Sequence, residues 1–155
     1  MESLLPVIPA LPLLGAIVVA CLGRRISREA SGWLAPAALG VAAVLSLGVL
    51  RELLAADEGT VLATTLYTWI ETGGFVADIG FLADPLSASF MCIITGVGFL
   101  IHVYSIGYMS NDSSYSRYFT YLNLFCFAML LLVLGQNLVM LFVGWEGVGL
   151  ASYLL

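Results

Sequence analysis

Two ionisable residues, Glu146 and His102, lie inside stretches where charge is expensive. Glu146 is the lone acid of an otherwise uncharged run from Leu138 to Leu155, in the segment Gly144-Trp145-Glu146-Gly147-Val148-Gly149. An acidic side chain at the centre of a membrane helix costs about 2.5 to 3.5 kcal/mol on insertion scales, and such groups mark ion or proton pathways. Eight residues into its run, Glu146 would sit about 12 Å along the helix, near the bilayer midplane. Gly144, Gly147 and Gly149 admit another backbone, and with the helical neighbours Phe142, Leu150 and Tyr153 they predict an acid that faces helices rather than lipid. A buried glutamate with a movable cationic partner can be switched between binding and releasing a proton. The chain holds no lysine, and its five arginines fall in loops or at helix ends, so residues 1–155 supply no such partner. The plainer alternative is a neutral glutamic acid hydrogen-bonded inside a bundle.

His102 lies 17 residues past Pro85, toward the cytoplasmic side of its apolar run. A near-neutral proton affinity would suit a relay, and the alternative is an interfacial histidine bonded to a backbone carbonyl. Tyr104 and Tyr108 read as interface aromatics.

Positioning these groups is the task of a membrane protein. Residues are 61% hydrophobic and only 10% charged, with a mean hydropathy of +1.06, where soluble domains carry about 25% charged residues. No basic patch supports nucleic-acid binding. Cys21, Cys92 and Cys126 are far apart in apolar runs and read as small packing residues. No Cys₄ spacing, no nucleotide-binding glycine fingerprint after a strand and no paired histidines point to redox chemistry within the chain.

Hydrophobic runs predict an all-α polytopic membrane protein with about five transmembrane helices and a small external β-hairpin between the second and third. The first span is Leu4 to Leu22, too long and too poorly flanked for a cleavable signal. Pro6, Pro9 and Pro12 predict an irregular entry, with regular helix only from about Pro12. The second runs from Trp33 to Leu50, closed by Arg51 and Glu52. The third opens at Asp84-Pro85, a capping acid before proline at the first helical position, and reaches Tyr108. The fourth spans Tyr118 to Leu134, and the tight turn Gly135-Gln136-Asn137 makes the fifth its antiparallel neighbour. The chain thus divides into helices one and two (1–51), an external loop with the hairpin (52–83), and helices three to five (84–155).

In that loop, Val61 to Ile70 and Phe75 to Leu82 flank the turn Thr72-Gly73-Gly74, and Phe75, Ala77, Ile79 and Phe81 recur at period two. A lone hairpin is marginal in water, so it should lie against the bundle or a neighbouring subunit. Its acids Glu71 and Asp78 read as solvated loop charges. Arg24, Arg25 and Arg28 make the first connection cytoplasmic by the positive-inside rule, against the single Arg51. The N-terminus, the hairpin and the Gln136 turn are then outside, and the Asn111 to Arg117 joint inside.

Four ordered blocks carry a family resemblance: Asp84-Pro85-Leu86-Ser87, His102 to Met109, Arg117 to Phe125, and Gly144-Trp145-Glu146 through Leu155. Together they resemble the N-terminal part of the L subunit (mitochondrial subunit 5) of the bacterial proton-pumping NADH:quinone oxidoreductase, respiratory complex I. The resemblance covers essentially the whole chain. It implies an antiporter-like subunit of the membrane arm, in a bacterial inner membrane, coupling quinone reduction to proton movement beside other membrane-arm subunits and lipid. Glu146 matches the family's fifth-helix glutamate, which pairs with a lysine on a later helix, here expected beyond Leu155. His102 matches a third-helix histidine near the proton route. Gly147 departs from the bulkier apolar residue expected after the Trp-Glu pair. NAD, FMN, iron–sulfur clusters and quinone are expected in other subunits, and no cofactor in this chain. Family members carry many more membrane helices, including a five-helix unit repeated in inverted orientation, so a truncated piece that does not pump alone is expected. The large subunit of a multisubunit sodium/proton antiporter shares the Trp-Glu pair and the histidine, and membrane subunits of energy-conserving hydrogenases are related. A non-transporting structural helix bundle is the reading from a different class.

Overall fold

The computed structural model describes residues 2–23, 25, 27–57 and 59–155. Arg24, one of the arginines behind the sidedness expectation, lies outside them. A 3₁₀ turn, Glu2–Leu4, leads into α1, Val7–Leu22. Regular helix therefore starts earlier than the prolines predict. Pro6 is the N-cap and Pro9 the third helical residue, positions whose N–H groups have no partner inside a helix in any case. Only Pro12 removes a helical hydrogen bond.

Helix α2, Arg28–Ala55, is capped by Ser27, whose side chain accepts from the Ala30 amide at 3.2 Å. Its 28 residues span about 42 Å at the helical rise, more than the roughly 30 Å hydrocarbon core. The helix thus overruns the expected Trp33–Leu50 span at both ends, carrying Arg28, Glu29, Arg51 and Glu52, all exposed, on its extensions.

The hairpin pairs β1, Leu62–Thr72, with β2, Phe75–Ala83, in antiparallel register. Gly73 and Gly74 form its two-residue turn with φ of 54° and 89°, the backbone sign that such turns require and side chains resist. β1 has 11 residues against 9 in β2. The register slips between Thr65 and Tyr67 and again between Thr68 and Ile70, so Leu66 and Trp69 are the two extra residues. These bulges interrupt the alternation of side chains along β1.

The hairpin rests on one end of the helix bundle, as expected. Thr64 donates to the Glu2 carbonyl, the Gln136 amide to the Gly80 carbonyl, and Asn137 Nδ2 to the Asp78 carbonyl at 2.7 Å. Ala77, Phe81 and Ala83 join the core, whereas Phe75 at the turn is exposed. Glu71 is exposed as expected, but Asp78 is not a solvated loop charge. It is half-buried with Oδ1 enclosed and unpartnered among the described residues, because its strand seats on the turn that joins the last two helices.

Helix α3, Pro85–Tyr108, begins where the sequence places it, through a capping box. The Ser87 amide donates to Asp84 Oδ1 at 2.7 Å, and Ser87 Oγ accepts from the Asp84 amide at 2.9 Å. The Ser87 amide, followed by its hydroxyl, holds the Asp84 carboxyl below its ordinary value. Helices α4, Tyr115–Leu134, and α5, Leu138–Leu154, form the expected antiparallel pair. Asn137 caps α5 by accepting from the Met140 amide at 3.0 Å.

The fold is mostly helical and multi-pass. α1 with its 3₁₀ turn, α2, α3 and α4 are long and apolar enough to cross a membrane, and α5 is a shorter apolar helix of 17 residues. α4 is the central element and touches α1, α2, α3 and α5. Phe119, Cys126, Leu130 and Leu134 of α4 pack against Ile8, Leu39, Met91 and Val19 from the first three helices and against Met140 of α5. The α1–α2 and α3–α4 connections meet at the end of the bundle opposite the hairpin, where Arg28 donates to the Ser110 carbonyl at 2.9 Å. The alternation of sides predicted from the span count holds in this relative sense.

Candidate functional site

Helix α5 reaches α4 through its small residues. A Cβ at Gly144 would lie 2.7 Å from Leu132 Cα and 3.0 Å from the Leu131 carbonyl carbon, and one at Gly147 3.0 Å from Ala128 Cβ. With the buried Ala151, these residues form one stripe at helical spacing. Glu146 is off that stripe and exposed, together with Phe142, Gly149, Leu150 and Tyr153.

That placement puts Gly144 and Gly147 on one face of α5 and the acid on another. Gly144 and Gly147 do admit another helix, but it is α4, and the acid is turned away from it with Gly149. At about 100° per residue, a side chain next to Gly147 and two past Gly144 cannot share their face. The same geometry explains the departure at position 147, where Ala128 leaves no space for a bulky residue.

His102 is fully buried between α3 and α4, its ring centroid 6.0 Å from that of Phe119. Nδ1 lies 2.8 Å from the Gly98 carbonyl oxygen. A carbonyl only accepts, so Nδ1 carries a proton and in the neutral ring Nε2 is an acceptor. Nε2 is enclosed and has no partner among the described residues. The bond to a backbone carbonyl is thus present, and the ring is a core residue. Tyr104 and Tyr108, by contrast, are exposed and stack on each other at 5.7 Å.

The structure does not bring the two candidates together, since His102 is enclosed against α4 while Glu146 stands on the open face of α5. It adds a residue that the sequence reading missed. Asn123 of α4 is fully buried, donates to the Phe119 carbonyl at 3.3 Å, and keeps an enclosed Oδ1 with no partner among the described residues. That oxygen lies against Gly15 of α1, where a Cβ would approach it to 3.4 Å. The signal was available, because an amide in the middle of an apolar run carries the same burial cost as other intramembrane polar groups. His102 and Asn123 flank Phe119, and Ser105, one turn further along α3, has its hydroxyl 3.1 Å from that of Tyr118.

Among the described residues no group of three His, Cys, Asp or Glu side chains could hold a metal. All three cysteines are free. Cys126 is buried in packing as expected, Cys92 is half-buried, and Cys21 is exposed at the end of α1.

Residues 69–119 match the family described as NADH-Ubiquinone oxidoreductase (complex I), chain 5 N-terminus. The match takes in most of the hairpin, all of α3 with His102, and the start of α4. NADH-quinone oxidoreductase subunit L of Mycobacterium tuberculosis is 49% identical over 152 residues, 94% of this chain. The chain is similar to subunit L and chain 5 proteins over nearly its whole length. The subunit L of Escherichia coli is 40% identical over 145 residues, and NADH-ubiquinone oxidoreductase chain 5 of Chondrus crispus is 40% identical over 145 residues, each across 94% of this chain. The chain spans less than a quarter of the length of these relatives, 23%, 24% and 22% in turn.

Proposed function

We propose that this chain is part of a membrane-arm subunit of an NADH:quinone oxidoreductase, and that Glu146 is a proton-transfer carboxylate in it. The observation that carries the reading is the division of α5 into two faces. Gly144, Gly147 and Ala151 are spent on α4, which leaves the only acid of an apolar helix, with Gly149 beside it, on a face that the described residues do not cover. A carboxylate held there in a membrane needs a partner from another helix, and the related family's lysine on a later helix has that chemistry. Charge on that lysine favours the ionised carboxylate, and its withdrawal favours the protonated one.

In this reading NADH oxidation, FMN, iron–sulfur clusters and quinone belong to partner subunits, and this chain's residues hold and pass a proton. His102 contributes through Nε2, which can accept a proton once a water or a side chain reaches it. The subunit resides in a bacterial inner membrane with the Arg25 and Arg28 end of the bundle cytoplasmic and the hairpin outside.

Glu146→Gln keeps shape and hydrogen bonding but cannot ionise. In the complete subunit it should sharply lower NADH-driven proton uptake by inverted membrane vesicles, and uptake at the normal rate would remove Glu146 from the pathway. The cation/proton antiporter alternative is separated by the purified native assembly, in which flavin and iron–sulfur absorption bleached by NADH is the expected result.

A further inference from the structure

At the end of the bundle away from the hairpin, the α1–α2 and α3–α4 connections border an open cavity of about 870 Å³. Three arginines line it, Arg25, Arg28 and Arg117, with the hydroxyl residues Ser113, Ser114 and Ser116. No acidic residue is among its described lining. Two acids adjoin lining residues in sequence: Glu29, exposed beside Arg28, and Asp112, which accepts from the Ser114 amide and lines a smaller neighbouring cavity that shares Arg117.

The walls are held in place from both sides. Arg28 Nη1 donates to the Ser110 carbonyl at 2.9 Å, and Ser116 Oγ donates to the Gly23 carbonyl at 3.1 Å and lies 3.4 Å from Ser31 Oγ. The opening turn of α4, Tyr115 to Arg117, forms part of the lining. Its N-cap Ser114 makes no side-chain cap bond, and its hydroxyl accepts instead from Arg117 Nη2 at 3.1 Å. The positive end of the helix that runs through the centre of the bundle therefore adds to the guanidinium field. Several cations around one concavity with no carboxylate in its described lining are complementary to a phosphate, which can accept from several planar donors at once.

The apolar side of the cavity says which phosphate. Its inner wall is Val19, Ala20, Thr120 and Tyr121, and Ile17 and Leu22 are exposed on the adjoining surface of α1. Charge at the rim and apolar helix directly below it match the headgroup and acyl chains of a lipid, at the depth where basic pockets between membrane helices bind acidic headgroups. We propose that this cavity binds the phosphate of an acidic phospholipid, gripped by Arg25, Arg28 and Arg117, with its acyl chains along α1. The proposal rests on the multi-pass architecture and not on the proton-transfer reading of Glu146.

The test is lipid retention by the complete protein in its native assembly, delipidated in detergent, exposed to phosphatidylglycerol or phosphatidylcholine, and read by native mass spectrometry. Phosphatidylglycerol should be retained at least tenfold better. The charge of one arginine near a membrane surface is worth about fivefold in affinity, so Arg25→Gln should lower retention about fivefold and Arg25→Gln with Arg117→Gln about thirtyfold. Arg51→Gln, toward the other end of α2, should leave it unchanged. Arg25 is exposed and beyond the end of α1, so its single variant still reads the site if the double variant does not assemble. Equal retention of the two lipids, or wild-type retention by Arg25→Gln, would overturn the proposal. Inorganic phosphate bound at this site with no lipid retained would overturn the lipid and leave a free-phosphate site.

Discussion

Replacing Gly144 by alanine tests whether α5 is held to α4 by backbone approach. The added Cβ would sit 2.7 Å from Leu132 Cα and 3.0 Å from the Leu131 carbonyl carbon, about 1 Å inside the roughly 3.5 to 4.0 Å at which carbon atoms pack. Both obstacles are backbone atoms of a central helix, so α5 must move outward, loosening the contacts of Gly147 with Ala128 and of Ala151. Overpacking of this kind costs about 1 to 3 kcal/mol. Alanine also gains about 0.5 to 1 kcal/mol over glycine inside a helix, which partly masks the cost. Gly96→Ala supplies the control, since Gly96 lies within α3 and its Cβ would meet nothing within 4 Å. Subtracting the control removes the shared propensity gain and leaves the clash. Gly144→Ala should therefore be about 1 to 3 kcal/mol less stable than Gly96→Ala in thermal or denaturant unfolding of the complete protein in detergent. Equal stability of the two variants would refute the close approach.

The hairpin turn should resist side chains, because Gly73 and Gly74 both have positive φ. Gly73→Val or Gly74→Val should each cost about 1 to 2 kcal/mol, seen as faster amide exchange in β1 and β2 with helix protection unchanged. Asp84→Ala should cost about 0.5 to 2 kcal/mol through the lost cap, measured as fraying of the first turn of α3. Because the Asp84 carboxyl is held below its ordinary 3.8 by Ser87, its contribution is complete above that pH and fades as the pH falls through the lower folded-state value. Asp84→Asn keeps a capping oxygen and should abolish this dependence, read as exchange of the Ser87 amide against pH. His102→Ala should lower proton pumping by the complete subunit if the buried Nε2 takes part, and unchanged pumping would make His102 a packing residue.

The membrane architecture was legible along the chain. Apolar runs, the Asp84-Pro85 start and the Gly73-Gly74 turn are local signals, because helix starts and tight turns are decided by a few adjacent residues. Helix lengths were less legible, since the extensions of α2 are polar and escape a hydropathy reading although Ser27 caps them. Local proline chemistry also misled at α1, where two of the three rings occupy positions that need no amide donor. The partners of each face could not be read at all. Glycines around Glu146 announce a close helix, and only the packing of α4 shows that this helix takes the glycine stripe and leaves the acid exposed. In the same way the arginines of one connection and the serines of another are far apart in sequence and line one cavity because α1 and α4 pack side by side. Short-range patterns determine which segments become helix or strand. Which residues then share a face with which neighbour depends on contacts between distant segments, and those are set by the rotation and seating of whole helices, decided only when the bundle closes.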